Sequence, residues 1–306
     1  MTRTTRTLLA AAAGLALLAA ACGDSEPDGG AAPVDGPTIT VGSFNFPESV
    51  ILAEIYAQAL EASGYTVERN LNLGARELVF PELENGNLGL LPEYVGSALS
   101  VGFGDVAGAT GDLDATLDRL RSEFEAIGVE VLEPAPGEDK NVFVVTGDFA
   151  DANGLATISD LTGIDNIVFA GPPECEGRDT CLQGLQDVYG LTNLEFQAVQ
   201  EGSVRIASLE NGDIDLTLLF STQPVIAEKG FVALEDDQGM VPVENIVPVV
   251  TSEVVEAYGS DLTDLLDRVS ALITTEVLID LNGRVEIDAE NPADVAAAFL
   301  ADHDLA

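Results

Sequence analysis

Hydrophobic positions along the chain follow two spacings in turn, and this alternation predicts strands separated by helices. β-branched and apolar runs favour strands, and apolar residues three and four apart favour helices. In the first part of the chain, strands are predicted at 38–42, 65–69 and 88–91, with a helix ending at Ser63-Gly64 and another over 77–83. This order predicts an α/β fold with parallel strands and right-handed crossovers.

The same alternation of strands and helices is repeated later in the chain, which predicts two lobes. Strands are predicted at 129–132, 141–146, 167–170, 194–199 and 215–220, and helices at 114–127, 203–210, 253–258, 261–274, 276–281 and 292–300. We expect residues 38–140 plus 245–306 to form lobe 1 and residues 141–244 to form lobe 2. The chain crossings near 137–141 and 241–246 are the expected hinges.

One stretch, Asn87 to Ser97, is predicted to form a binding site. The strand at 88–91 should end at Pro92, because proline has no N–H for a sheet. Glu93, Tyr94 and Ser97 then follow the carboxyl end of a strand, where ligands bind in open α/β sheets. The alternative is an ordinary turn with a packed tyrosine.

A polar turn follows the first strand. Asn45 and Glu48 have the spacing of a capping box, and Pro47 suits the first helical turn between them. We therefore expect this turn to cap the first helix.

Charge narrows the range of partners. The 306 residues include 53 acids and 12 bases, a formal charge of −41, and 46% are hydrophobic. Phosphate backbones would be repelled, so nucleic acid is excluded as an expected partner. The acidic surface suits solubility, and we expect a monomer whose ligand is neutral or cationic.

The amino terminus has the pattern of an export signal. Arg3 and Arg6 precede an apolar run at 8–21, which is too short to span a membrane and ends at Cys22. The run resembles a bacterial lipoprotein signal. That resemblance implies a signal peptide at 1–21, a lipid on Cys22 and anchoring to the extracytoplasmic face of the cell membrane. The alternative is ordinary cleavage near Ala21 with Cys22 free. Residues 22–37, rich in Gly, Pro and Asp, are predicted to be a flexible tether.

The other two cysteines, Cys175 and Cys181, lie in a Pro/Gly-rich loop. In an oxidising compartment a disulfide is the favoured interpretation, since a metal site would need more ligands and His303 is the sole histidine. No catalytic triad or metal set can be assembled, so we expect no enzyme activity, metal or cofactor.

Five motifs occur together in the mature chain. They are Gly42-Ser43-x-x-Phe46-x-Glu48, Leu91-Pro92-Glu93-Tyr94-x-Gly96, Gly171-Pro172-Pro173-Glu174-Cys175, Asp213-Ile214-Asp215 and Phe220-Ser221-Thr222. In this order they resemble the osmoprotectant-binding proteins of ABC importers, which take glycine betaine, choline, carnitine or proline betaine. The resemblance implies a type II periplasmic-binding fold, a ligand held between two lobes, and delivery to a membrane permease.

The resemblance also implies a cage of aromatic rings, because a quaternary ammonium has no N–H and is held through cation–π attraction. By position the cage would consist of Tyr94, Phe143 and Phe220. Ile206 stands where a further ring would fall, and Phe44 is a hypothetical substitute. The remaining candidate ligand-binding residues are Asn45, Ser97, Asn141, Arg178, Thr222 and Gln223.

Arg178 is the candidate for binding a ligand carboxylate, because its guanidinium offers a fixed fork of donors. The alternative is a surface pair with Asp179 or Glu176. Arg205 would repel a cation and is expected to point away from the cleft. Two alternatives to an osmolyte receptor stay open: the same fold with another small solute as its ligand, and a sensor or adhesion lipoprotein.

Overall fold

A computed structural model of the chain describes residues 31–200 and 202–306. The predicted signal peptide, Cys22 and the first part of the predicted tether lie outside these residues. The strands are β1 (Ile39–Gly42), β2 (Val67–Asn70), β3 (Leu90–Tyr94), β4 (Val129–Val131), β5 (Asn141–Thr146), β6 (Ile167–Gly171), β7 (Leu194–Ala198), β8 (Leu216–Phe220), β9 (Phe231–Leu234) and β10 (Ile246–Thr251).

Helices lie between most of these strands, as the hydrophobic spacing predicts, and the last four helices follow β10. The helices are α1 (Pro47–Ala62), α2 (Arg76–Glu84), α3 (Val95–Ser97), α4 (Leu113–Glu125), α5 (Gly147–Asn153), α6 (Leu182–Asp187), α7 (Gly202–Asn211), α8 (Val225–Glu228), α9 (Ser252–Tyr258), α10 (Ser260–Ser270), α11 (Thr275–Glu286) and α12 (Pro292–Asp302). Within the described ranges, none of them is long and apolar enough to cross a membrane.

The strands form two sheets of the same design. Their orders are β2-β1-β3-β10-β4 and β7-β6-β8-β5-β9. In each sheet four strands run in one direction and the fifth, β10 in the first and β5 in the second, runs antiparallel to them. The sheets are therefore mixed, although mostly parallel.

The central strand of the first sheet differs from its prediction, because β3 continues through Pro92 to Tyr94. Pro92 lies opposite Pro248 of the antiparallel β10. Residues facing each other in an antiparallel pair alternate between hydrogen-bonded and non-bonded positions, and two facing prolines are compatible only with a non-bonded position. At a non-bonded position neither residue donates its N–H to the other strand. The N–H that proline lacks therefore costs no hydrogen bond between β3 and β10.

The carboxyl-terminal helices belong to the first sheet's core. Helices α10, α11 and α12 pack on α1, and the Tyr56 hydroxyl lies 2.8 Å from the Ser270 hydroxyl. Leu266, Val295 and Leu300 are buried there with the residues of β1 and β3. The second sheet has separate clusters of buried apolar residues around it.

The chain passes between the sheets twice, and the two crossings lie side by side. Glu138 and Asn245 form an antiparallel bridge, and the Asp139 N–H donates to the Glu244 carbonyl at 3.0 Å. Acidic residues from both crossings therefore meet where the two sheets approach.

Two further predictions, the disulfide and the tether, concern segments outside the helices and strands. Cys175 and Cys181 form the predicted disulfide. The described end of the predicted tether lies against the first lobe: the Val34 N–H donates to the Gly64 carbonyl, and the Tyr258 hydroxyl donates to the Pro37 carbonyl.

Candidate ligand-binding site

A cavity lies where the carboxyl ends of strands from both sheets face each other. Its walls come from the turn after β1, the end of β3, the loop after β6, the end of β8 and the two crossings. This is the location expected for a ligand in an α/β fold. Seven predicted site residues line it: Phe44, Asn45, Tyr94, Ser97, Asn141, Arg178 and Phe220.

Four aromatic rings stand in the cavity wall, and Phe46 is central among them. Its ring centroid lies 5.3 Å from that of Phe220, 5.9 Å from that of Tyr94 and 6.0 Å from that of Phe44. Phe46 was not predicted to bind a ligand, although it stands in the first of the five motifs. The sequence did contain one indication of a binding role, because Phe46 lies in a polar turn directly after the end of a predicted strand.

Phe143 lies elsewhere, in the hydrophobic core of the second lobe. It is fully buried and packs against Phe169, with ring centroids 5.8 Å apart. On β5 it faces Leu218, whereas Asn141 faces Phe220. Phe143 is thus two residues further along β5 than Asn141, about 7 Å, and does not line the cavity. The matching residue type alone could not indicate this depth.

A larger cavity adjoins the first one across Phe46 and Phe220. Thr222 and Gln223 line this second cavity, together with Ile206 and Arg205. Arg205 is buried, and its Nη1 donates to the Leu218 carbonyl at 2.8 Å.

Arg76 and Glu93 form a buried ion pair beside the rings. Arg76 Nε donates to Glu93 Oε1 at 2.9 Å, and Nη2 donates to Oε2 at 2.8 Å. The Arg76 guanidinium also stands over the Phe44 ring, 4.7 Å from its centroid. Glu93 Oε2 accepts the Tyr94 N–H at 2.9 Å. The pair therefore holds the two turns that carry Phe44 and Tyr94.

Glu48 does not cap α1, contrary to the capping-box prediction. Phe46 is the N-cap residue, without a side-chain hydrogen bond, and the Glu48 side chain is buried. Its carboxylate accepts from the Tyr94 hydroxyl at 2.8 Å, from Thr222 Oγ1 at 2.6 Å and from Asn282 Nδ2 at 2.7 Å. Glu48 is thereby bonded to residues of both lobes, and the Tyr94 hydroxyl already donates to it.

Asp139 is a second buried acid beside Glu48. It accepts from the Ser221 hydroxyl at 3.2 Å and from the Thr222 N–H at 3.1 Å. Burial raises the pKa of both carboxyls, and for Asp139 the nearby charge of Glu48 raises the pKa further. The site thus keeps carboxyl groups where water is largely excluded.

Glu244 is the third buried acid, and it comes from the second crossing. Its Oε1 accepts from the Ser97 hydroxyl at 2.5 Å, and its Oε2 accepts from the Ser97 N–H at 3.0 Å. Burial raises the pKa of Glu244 to about 7, although its bonds to Ser97 and the nearby Arg76 charge act in the opposite direction. Ser97, a predicted ligand donor, is in this structure a donor to Glu244.

This raised pKa predicts a pH-dependent stability. Between the ordinary pKa of 4.5 and about 7, the folded protein retains a proton on Glu244 that the unfolded chain releases. The free energy of unfolding should therefore fall by roughly 3 kcal/mol as pH rises through this window, and stay constant with respect to this group outside it. Thermal melts of the wild type and Glu244→Gln from pH 4 to 8 measure the difference, and parallel profiles would contradict the prediction.

Arg178 lies in the cavity wall, but its guanidinium bonds neither Asp179 nor Glu176. Its Nε and Nη2 donate to Glu77 at 3.1 and 2.9 Å. Arg178 follows β6 of the second sheet, and Glu77 is on α2 beside the first. The ion pair therefore joins the two lobes across the cleft.

Two α/β lobes, joined by paired crossings and facing each other across a ring-lined cavity, define a solute-binding protein of the type II periplasmic class. Residues 37–302 match the family described as the substrate-binding domain of ABC-type glycine betaine transport systems, and the chain belongs to this family. It is thus the extracytoplasmic substrate-binding component of an ABC importer. The predicted fold and family are confirmed.

Individual relatives show what this chain is similar to. It is 29% identical to a glycine-betaine-binding protein of Pseudomonas aeruginosa, over 88% of both chains. It is 26% identical to the ergothioneine transport permease/ergothioneine binding protein of Helicobacter pylori, over 87% of this chain and 48% of that protein. A crystal structure of a glycine betaine/carnitine/choline ABC transporter protein superposes with a TM-score of 0.71 at 21% identity, over 87% of this chain and 99% of that one.

Proposed function

We propose that this protein captures a quaternary-ammonium osmolyte between the rings of Phe44, Phe46, Tyr94 and Phe220 and delivers it to an ABC permease. The observation that carries the proposal is the ring-lined cavity with buried carboxyls at its edge. Rings attract a methylated ammonium by about 0.5–2 kcal/mol each, without requiring an N–H on the ligand. Binding between the lobes would convert ligand capture into lobe closure, which a permease can recognise.

The same proposal includes a monomer tethered through a lipid on Cys22, with lobes at 38–140 plus 245–306 and at 141–244. The support is the sequence pattern before Cys22 and the two crossings that join the sheets. Labelling of expressing cells with a fatty acid tests the anchor, and label retained in Cys22→Ser would exclude it.

Calorimetric titration of the purified protein tests the ligand. We expect micromolar binding of at least one of glycine betaine, choline, carnitine and proline betaine, weakened about tenfold or more in Tyr94→Leu because a cage ring is lost. Tyr65→Leu is the matched control, since the Tyr65 ring is buried in the same lobe against Tyr258 and away from the cavity.

Absence of heat with all four compounds would overturn the proposal. The second candidate, a receptor for another small solute, would then be favoured. Similarity to an ergothioneine-binding relative supports this candidate, so ergothioneine is the fifth compound to titrate.

A further inference from the structure

Both arginines in the wall of the ring-lined cavity are already neutralised by protein carboxylates. Arg76 makes three hydrogen bonds to Glu93, and Arg178 makes two to Glu77. The Arg76 pair is buried, where separating the charges is expensive. A carboxylate on a ligand would have to compete with glutamates that already hold both guanidinium groups.

Two neutral donor residues of the wall, Ser97 and Asn141, are also engaged. The Ser97 hydroxyl and N–H both donate to Glu244, and Asn141 Nδ2 donates to the Thr180 carbonyl at 3.1 Å. A ligand carboxylate enclosed here would therefore have few donors, mainly Asn45 and the guanidinium N–H groups that the glutamates leave unused, and burying a poorly paired charge is unfavourable.

Acceptor groups remain available in the same wall. Asp139, Glu174 and Glu244 all line the cavity, and Asp139 and Glu244 are only 5% and 3% exposed. Each Glu244 oxygen uses one bond to Ser97, and a carboxylate has about four lone-pair positions in total. Glu244 can therefore accept a further hydrogen bond from a ligand.

We propose that Glu244 makes this receptor selective for a quaternary-ammonium alcohol, a ligand with a permanent positive charge, a hydroxyl and no carboxylate, over a zwitterionic betaine. The inference rests on the proposed function. Glu244 accepts the ligand hydroxyl, adds a negative charge near the ammonium and holds both Ser97 donors away from any ligand carboxylate. Other charged groups facing Glu244 are Arg76 on α2, Glu93 on β3, and Glu138 and Asp139 on the first crossing.

The test compares choline with glycine betaine by calorimetry at pH 8. We expect the wild type to bind choline about tenfold or more tightly than glycine betaine, and Glu244→Gln to reduce this ratio by about tenfold, as for loss of one charged hydrogen bond. Glu174→Gln removes a more exposed wall carboxyl and should change the ratio less. Glu244→Asp keeps the negative charge and should retain a preference for choline. If it does, the effect of Glu244→Gln is due to the lost charge and not to a folding defect.

The outcomes separate the two proposals. Binding of glycine betaine as tight as that of choline, or a ratio unchanged in a folded Glu244→Gln protein, would overturn the role of Glu244 and leave the proposed function standing. Absence of binding by either compound, with carnitine and proline betaine also inert, would overturn the proposed function itself.

Discussion

Arg76→Met should lower the free energy of unfolding by about 3–5 kcal/mol, because it leaves the Glu93 charge buried without its partner. Glu93 is fully buried, and Arg76 is 7% exposed. Methionine retains much of the arginine volume, so the loss reports mainly on charge. Urea unfolding, followed by circular dichroism, measures the change.

Two further variants make this test specific to burial. Arg119→Met removes a cation from an exposed pair with Asp105 and should change stability little, because water screens such pairs. The double variant Arg76→Met/Glu93→Leu should recover much of the loss, since no unpaired charge remains. If Arg76→Met lowered the free energy of unfolding as little as Arg119→Met does, the prediction would be contradicted. Glu93 would then be bonded to water or to another residue in the variant.

Phe46→Ala should weaken binding of the preferred osmolyte by about tenfold or more, the upper part of the range for one cation–π ring. Phe46 packs against Phe44, Tyr94 and Phe220, so its removal also loosens the remaining rings. Calorimetric titration gives the affinity, and a thermal melt verifies folding.

Phe143→Leu is the matched control for Phe46, because this ring lies in the core of the second lobe. It should lower the free energy of unfolding by about 1–3 kcal/mol, as typical core substitutions do, and leave affinity unchanged. Loss of affinity in Phe143→Leu with normal binding by Phe46→Ala would mean that the cage is formed by the aromatic set predicted from the resemblance.

The difference between these two phenylalanines shows where prediction from sequence reached its limit. The resemblance placed an aromatic at 143, but the pairing of β5 with β8 decides how deep that ring lies. Glu48 shows the same limit, since its spacing suited a cap. Its contacts with Tyr94, Thr222 and Asn282, which lie far from it along the chain, hold its side chain in the interior instead.

The sequence by itself determined the alternation of strands and helices, the two-lobed α/β fold, the family and the disulfide. The spacing of hydrophobic residues and the order of the motifs are local properties, so they can be read directly from the sequence. Only the tertiary structure decided which charges meet: Arg76 with Glu93, Ser97 with Glu244 and Arg178 with Glu77. These pairs join residues from 17 to 147 positions apart. Packing and burial in the folded protein determine which of these charged and polar residues pair. No local sequence pattern carries that information.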